Sequence, residues 1–564
     1  MRRLGVGGAA CFALLFVAAA AWRAWVSDDA FITFRTIDNA LHGHGLVWNV
    51  GERVQAYTHP LWMLLVWAAS WPHGHVFGAS LGVAALCNLA LLWGLWRTAQ
   101  GPAHAALAWA LLFSSRAILD YATSGLENPL VHLLLLGHIG LCARPDPQGR
   151  WSLWRGVLSC ALLWTRLDLV FLALPPLIVA CQRDGWPKPK ELALGFAPVV
   201  LWQLWATFYY GLPIPNSALA KLTAHMPRAE LLERGVFYLF TSLRWDPITC
   251  LTLAALPVLA WRLPGRVERS FAWAALAQLA WVMWVGGDFM AGRFLTPPAV
   301  VAIVLLSRTP LPRRLAWSAA TLAAVLTLAI PTLCPFLERD YGRAWHAAIN
   351  EHGVADERHF YLESTSLRYI VEHDVDWRAN LTTWQQDSIH DWHKDEWIAK
   401  LERLQVARTR DDWPPRSAQQ ASTLRPVLLR GAIGMLGYGT QDRVDFIDFH
   451  GLGDALLSHL PALRHDPVLA AAIPHLSPLG WRTGHYIRAI PRGYAASVSH
   501  DENRITDPEL HAFYGHVRTM TRAPLFSSRR LGAIAAVWWA HLRRTVPHDP
   551  HVAPHTETRA LDQP

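Results

Sequence analysis

Cysteine is scarce in this 564-residue chain, and its placement is one-sided. The seven cysteines stand at 11, 87, 142, 160, 181, 250 and 334. None lies in the last 230 residues, so that region has neither a disulfide framework nor zinc-ligand spacing. Charge is also sparse, with Asp, Glu, Lys and Arg at 17% of residues. That excludes a string of soluble domains and a disordered or fibrous chain. No basic stripe marks a soluble face, which excludes a nucleic-acid partner. No solenoid-type repeat is present. What the chain has instead is apolar residues, 52% of the total, and 30 tryptophans. Tryptophan is favoured where a ring can be apolar on one side and wet on the other.

The apolar residues gather into stretches suited to a bilayer core of about 30 Å. They cover approximately 5–25, 78–96, 103–119, 128–143, 152–166, 168–183, 192–210, 248–262, 270–286, 293–307 and 315–332. The sequence therefore predicts an α-helical polytopic membrane protein with about eleven transmembrane helices. The first stretch reads as a retained anchor rather than a cleaved signal. The segment 60–71 is apolar but short, and reads as an interfacial or re-entrant helix. Eleven spans place Arg2/Arg3, Arg97, Arg144/Arg150/Arg155, Arg183/Lys188/Lys190, Arg262/Arg266/Arg269 and Arg308/Arg313/Arg314 on one side. The positive-inside rule makes that side cytoplasmic. Residues 1–334 then form the membrane domain, with a first outer loop at about 26–77. Residues 335–545 form a soluble extracytoplasmic domain of α/β or α+β type, and 546–564 a disordered tail. Within the outer domain, helical pattern is read at 393–407 and 454–463, and strand-like runs at 426–436 and 443–449. The net charge is +10 before residue 335 and −2 after it.

This topology collects the polar residues that a membrane protein does not otherwise need. Asp28 and Asp29 stand at the mouth of a helix, where an ionisable pair is costly and points to function. Neighbouring side chains point different ways, so one carboxylate can take a proton while the other orients a hydroxyl or a metal. A solvated helix cap is the plain alternative. The loop adds Arg35, His42, His44, Glu52 and Arg53, and the two histidines lack a third clear metal ligand. Further outer loops carry Glu127, Arg166 with Asp168, Asn216 with Lys221, and Asp288 with Arg293. Cations at the outer boundary suit a lipid-linked phosphate arriving from the bilayer. Headgroup snorkelling or an Arg166–Asp168 pair would serve them as well.

Read together, Asp28-Asp-Ala-Phe-Ile-Thr-Phe-Arg35 and His-Gly-His-Gly-Leu-Val-Trp-Asn-Val-Gly-Glu52-Arg53 resemble the opening of polytopic bacterial glycosyltransferases of the C superfamily. The nearest likeness is to the mycobacterial terminal β-(1→2)-arabinofuranosyltransferase family. The likeness continues in order through Ser-Gly-Leu-Glu127, Thr-Arg166-Leu-Asp168, Pro-Asn216 with Lys221, and Gly-Gly-Asp288-Phe-Met-Ala-Gly-Arg293. It reaches Asp356-Glu-Arg358, Asp448-Phe-His-Gly-Leu-Gly-Asp454, Trp-Arg-Thr-Gly-His485 and Asp507-Pro508. Thr58-His59-Pro60 has no assigned place in it. The resemblance implies a C-type glycosyltransferase fold and transfer of a sugar, arabinofuranose by likeness, from a polyprenyl-phosphate donor. The acceptor would be a cell-envelope glycan or glycoprotein. Asp28 and Asp29 would be catalytic. Arg35, Glu52, Arg53, Glu127, Arg166, Asp168, Asn216, Lys221, Asp288 and Arg293 would hold the donor. His485, Asp448 and Asp454 would face the acceptor. The resemblance assigns no definite cofactor, and a divalent metal at Asp28/Asp29 stays open. A membrane scaffold for envelope or motility assembly is the alternative. A lipid transporter fits less well, because it would carry paired repeats and mid-helix charges.

Overall fold

The computed structural model describes residues 2–339, 348–373, 425, 427–463 and 481–547. The expected helix at 393–407 lies outside them, as does the tail from 548. Among the described residues the chain is mostly helical and gathers into two compact units. The first comprises 1–30, 59–203 and 227–377, and the second 31–58, 204–226 and 378–564. Phe31–Thr58 and Leu204–Met226, which composition groups with the apolar part, thus pack with C-terminal residues.

In the first unit, each expected apolar stretch is helical over most of its length. Helices Arg2–Trp22 and Arg313–Ala329 flank Pro102–Ser114, which is buried along nearly its whole length. Thr296–Arg308 is buried likewise and packs against Asn128–Ala143, Pro247–Arg262 and Arg266–Trp284. The segment at 60–71 is the helix Pro60–Ser70, opened by proline in its first turn. By length and composition, Val76–Thr98 and Pro189–Tyr210 can cross a membrane, which marks the chain as a membrane protein. A third span arises if Arg228–Trp245 and Pro247–Arg262, bent by 114°, count as one. The other apolar helices are shorter. At 1.5 Å rise per residue, 13 residues reach only about 20 Å, short of a bilayer core. The count of eleven crossings thus exceeds what length and composition alone deliver. The 114° bend has a local cause. Asp246 caps the second helix by accepting from Thr249 N at 3.0 Å, and Pro247 cannot continue the first.

The second unit contains a two-stranded parallel sheet, β1 (Val427–Arg430) beside β2 (Asp445–Asp448), pairing Val427 with Asp445 through Arg430 with Asp448. Helix Gly434–Thr440 connects them, so the strand expected over 426–436 ends at Arg430. The expected helix at 454–463 is instead a loop with one 3-10 turn, Leu457–His459. Asp454 is the reason. Its carboxylate accepts from Leu456 N at 2.9 Å and Leu457 N at 2.7 Å, a local turn that competes with helix. Helices Pro508–Arg522 and Ser528–Arg543 pack on each other and close the unit.

Buried guanidinium groups connect its backbone segments. Arg488 is fully buried and donates to the carbonyls of Leu460, His450, Tyr486 and Ala220. Replacing it removes the donor from four carbonyls, and each orphaned buried acceptor costs about 1–3 kcal/mol. Arg488→Met is therefore expected to cost at least about 3 kcal/mol of stability. Thermal unfolding of the purified protein checks this, and an unchanged melting temperature would contradict it.

Candidate active site

The expected site residues sort into two groups, one in each unit. In the first unit, Glu127 lies at the centre. It precedes helix Asn128–Ala143, and its side chain is 1% exposed. Arg166, at the end of helix Ser152–Thr165, reaches it at 2.9 Å. Arg293, in the 3-10 turn Arg293–Leu295, reaches it at 3.2 Å, and His59 Nδ1 at 3.2 Å. Burial raises the Glu127 carboxyl, but Arg293, His59 and Arg166 together hold it well below the usual range.

The cluster extends outward from there. Arg166 grips Asp168 with two bonds of 2.9 Å, and Gln278 Nε2 donates to the same carboxylate at 3.3 Å. Phe294 lies under the Arg166 guanidinium, 4.5 Å from ring centre to charge. Arg293 also stands 3.9 Å from both Asp288 and Asp29. Asp29 is the most open member, with its side chain 31% exposed, while Asp28 beside it is buried. Both begin helix Asp28–Leu41, whose N-terminus favours negative charge. Asp29, Glu127, Asp168 and Asp288 outnumber Arg166 and Arg293, so the cluster is acidic on balance.

Two glycines shape the loop that carries Asp288 and Arg293. Gly287 and Gly292 both have φ of +72°. A Cβ on Gly292 would meet the Ala117 Cβ and the Trp245 ring, each at 2.7 Å. A strap at 354–367 then ties this loop to the residues leading into Asp28. Ala355 pairs with Phe289 O and Ala291 N at 2.7 and 3.0 Å. Arg358 Nε donates to Arg23 O, Thr365 Oγ1 to Val26 O, and Leu367 N to Ala24 O. Asp356 anchors the strap to Arg116 at 2.8 Å, and Arg358 pairs with Glu338.

The second group is engaged in folding its own unit. Arg35 is 1% exposed and donates to the carbonyls of Trp48, Gly437 and Val444. Arg53 donates to Ala523 O, and Glu52 pairs with Arg522 at 3.4 Å. Asn216 donates to the carbonyls of Gly451, Leu452 and Asp454. Asp448 accepts from His450 N and Gly453 N, each at 2.9 Å. Lys221 is exposed. His485 lies with its ring 5.0 Å from that of His450, and burial holds its imidazole well below the usual range. The structure thus gives Arg35, Asp448 and Asp454 partners within the fold.

Sequence reasoning left His59 unassigned, although it contacts Glu127. The available signal was its place before Pro60, at the start of an apolar helix. Asp356 and Arg358 stood in the sequence pattern without a role, and the structure gives them one in the strap. Among the described residues, no three or more His, Cys, Asp or Glu groups have ligating geometry.

Similarity to known proteins runs in the same direction. A terminal β-(1→2)-arabinofuranosyltransferase of Mycobacterium tuberculosis is 30% identical over 406 residues, 61% of this chain and 63% of that protein. The protein of the same name from Corynebacterium glutamicum is 27% identical over 525 residues, 81% of this chain and 74% of that protein. The chain resembles terminal β-(1→2)-arabinofuranosyltransferases. The match spans less than two thirds of the mycobacterial protein's length. No family model and no solved structure matches the chain.

Two predictions follow from these electrostatics. Breaking a buried ion pair by removing one partner costs about 3–5 kcal/mol. Glu127→Gln is expected to destabilise the protein by that amount, and Asp168→Asn, at a more open position, by less. Thermal unfolding of both variants tests the order. The second concerns Asp454. Burial pushes its carboxyl up to about 8, with Glu52 and Asp448 adding to the rise, while Leu457 N–H and the Tyr494 hydroxyl oppose it. The folded chain therefore binds this proton more tightly than the unfolded chain, where the ordinary value is about 3.9. Its contribution is full below about pH 4 and is lost as pH rises through about 8. Asp448, pushed up to about 6, acts in the same sense. Melting temperature should fall from pH 5 to pH 8, and less steeply in Asp454→Asn. Equal slopes would overturn the assignment.

Proposed function

We propose that this protein is a membrane glycosyltransferase that moves a sugar, arabinofuranose by resemblance, from a polyprenyl-phosphate donor to a cell-envelope glycan or glycoprotein. The reaction faces the outer side of the cytoplasmic membrane, and the C-terminal residues form an extracytoplasmic part. The observation that carries this reading is the convergence of Asp29, Glu127, Arg166, Asp168, Asp288 and Arg293 from four separate stretches of chain.

In the proposed step, the acceptor hydroxyl loses its proton to Asp28 or Asp29 as its oxygen bonds the anomeric carbon. The bond from that carbon to the donor phosphate oxygen breaks, and its electrons leave with polyprenyl phosphate. The acidic surplus suits the anomeric centre, which becomes positive as the bond stretches. Arg293 holds Asp29 toward this centre and is itself anchored on Glu127. Arg166 and Arg293 can share charge with the departing phosphate from the edge of the cluster. Arg35 and Arg53 are already committed to backbone carbonyls, so they support the loop rather than the phosphate.

The test is release of polyprenyl phosphate by purified protein in lipid. Polyprenyl-phosphoryl-arabinofuranose is offered beside other polyprenyl-phosphate sugars, with an envelope glycan extract as acceptor. General-base removal costs about 10²–10⁴-fold. At least one of Asp28→Asn and Asp29→Asn should slow release by that factor while melting normally. Full turnover in both variants would reject the mechanism. A membrane scaffold would tolerate both changes and release nothing.

A further inference from the structure

The first unit contains a concave feature that the proposed chemistry does not use. It is an open cleft of ≈ 580 Å³ between helix Arg228–Trp245 and the segment 348–356. That size falls in the range of small-molecule sites. Its floor is Ala291, Val354 and Ala355, so it backs onto the loop that carries Asp288 and Arg293.

The lining selects the ligand class. On one wall Phe237 and His352 stack face to face, with centroids 3.7 Å apart and planes 14° from parallel. Phe240, exposed, and Trp245, buried, add further apolar surface. The Trp245 indole N–H has no acceptor among the described residues. Arg244 is exposed and has no hydrogen bond, ion pair or ring partner among them. Asn350 is pinned by its side chain to Thr241 Oγ1 at 2.9 Å, and Glu351 is exposed beside His352.

Three occupants can be compared on this chemistry. A hydrocarbon chain would cover Arg244 and the Trp245 indole N–H without offering either a partner, at a desolvation cost. A phosphate would meet Arg244, but Glu351 stands exposed on the same lining, while Asp356 is paired with Arg116 and Arg339 donates to the carbonyls of Trp245 and Thr332, so the charge does not favour an anion. A neutral sugar satisfies both kinds of surface. Its C–H faces lie on aromatic rings, and its hydroxyls pair with planar amide, carboxylate and guanidinium groups. We propose that this cleft binds a short neutral glycan, and that it is the acceptor subsite of the transferase. Naming the glycan an acceptor rests on the transferase reading, whereas the binding itself does not.

The experiment therefore measures binding in the absence of donor. Full-length protein in nanodiscs is mixed in turn with arabinofuranose, galactofuranose, mannose and glucose trisaccharides, and saturation-transfer NMR reports contact. The variant Arg244→Ala/Glu351→Ala changes two exposed side chains, and its unchanged melting temperature verifies folding. At least one trisaccharide should bind the wild type, and the variant should bind it at least tenfold more weakly. Equal affinity in the variant, or no trisaccharide bound, overturns the proposal. Saturation of farnesyl phosphate that the variant abolishes, without glycan binding, assigns the cleft to lipid and overturns it too. Polyprenyl-phosphate release is scored separately, so a failed transferase reading and a failed cleft are told apart.

Discussion

The first unit is organised around one buried carboxylate. A lone Glu127 anion at this depth would be strongly disfavoured, since the desolvation cost of an isolated buried charge exceeds any single weak contact. It is tolerated because His59, Arg166 and Arg293 all reach it. Those residues come from the starts and ends of different helices. Satisfying one charge thus fixes where several helices stop relative to each other. Asp29 gains its placement indirectly, through the guanidinium it shares with Glu127.

The arrangement also separates two jobs among acidic groups. Glu127 is closed off and held ionised, so it acts as an anchor. Asp29 is open and only loosely tethered at 3.9 Å, so it is available to a substrate. In the second unit the balance is reversed: arginines do the anchoring and carbonyls receive them. Arg35, Arg488 and Arg530 each link chain segments far apart in sequence through backbone oxygens. With only one short sheet described there, these side chains replace part of the hydrogen bonding that strands would provide.

Much of this was legible in the sequence, for reasons that can be named. Apolar runs located the helices because burial and lipid contact both select the same residue types. Gly-Leu-Glu127, Arg166-Leu-Asp168 and Asp288 through Arg293 stood out because charge beside an apolar run needs a partner, and the structure pairs them. What escaped were features set by distant contacts. The loop at 454–463 carries an apolar pattern that suits a helix, yet the Asp454 side chain turns it. Arg35 looked like a phosphate ligand because a sequence records a charge but not the carbonyls around it. His59 showed only its place before Pro60, and the fold alone brings Glu127 within its reach.

The strap at 354–367 has a consequence for biogenesis. Its bonds to Arg23, Ala24 and Val26 join residues about 340 positions apart. A chain inserted helix by helix, N-terminus first, has these partners in place long before the strap is translated. Residues 120–124 hold the stretch leading into Asp28 and Asp29 earlier, through Arg23 to Asp120, Trp25 to Asp120 O and Ser27 N to Ser124 O, and the strap adds its bracing only after more than half of the protein has been synthesised. Closing so long a loop is slow and comes late. The nascent protein can hold its helices in the bilayer before the strap docks, and full ordering of the stretch leading into Asp28 and Asp29 becomes a closing event of synthesis.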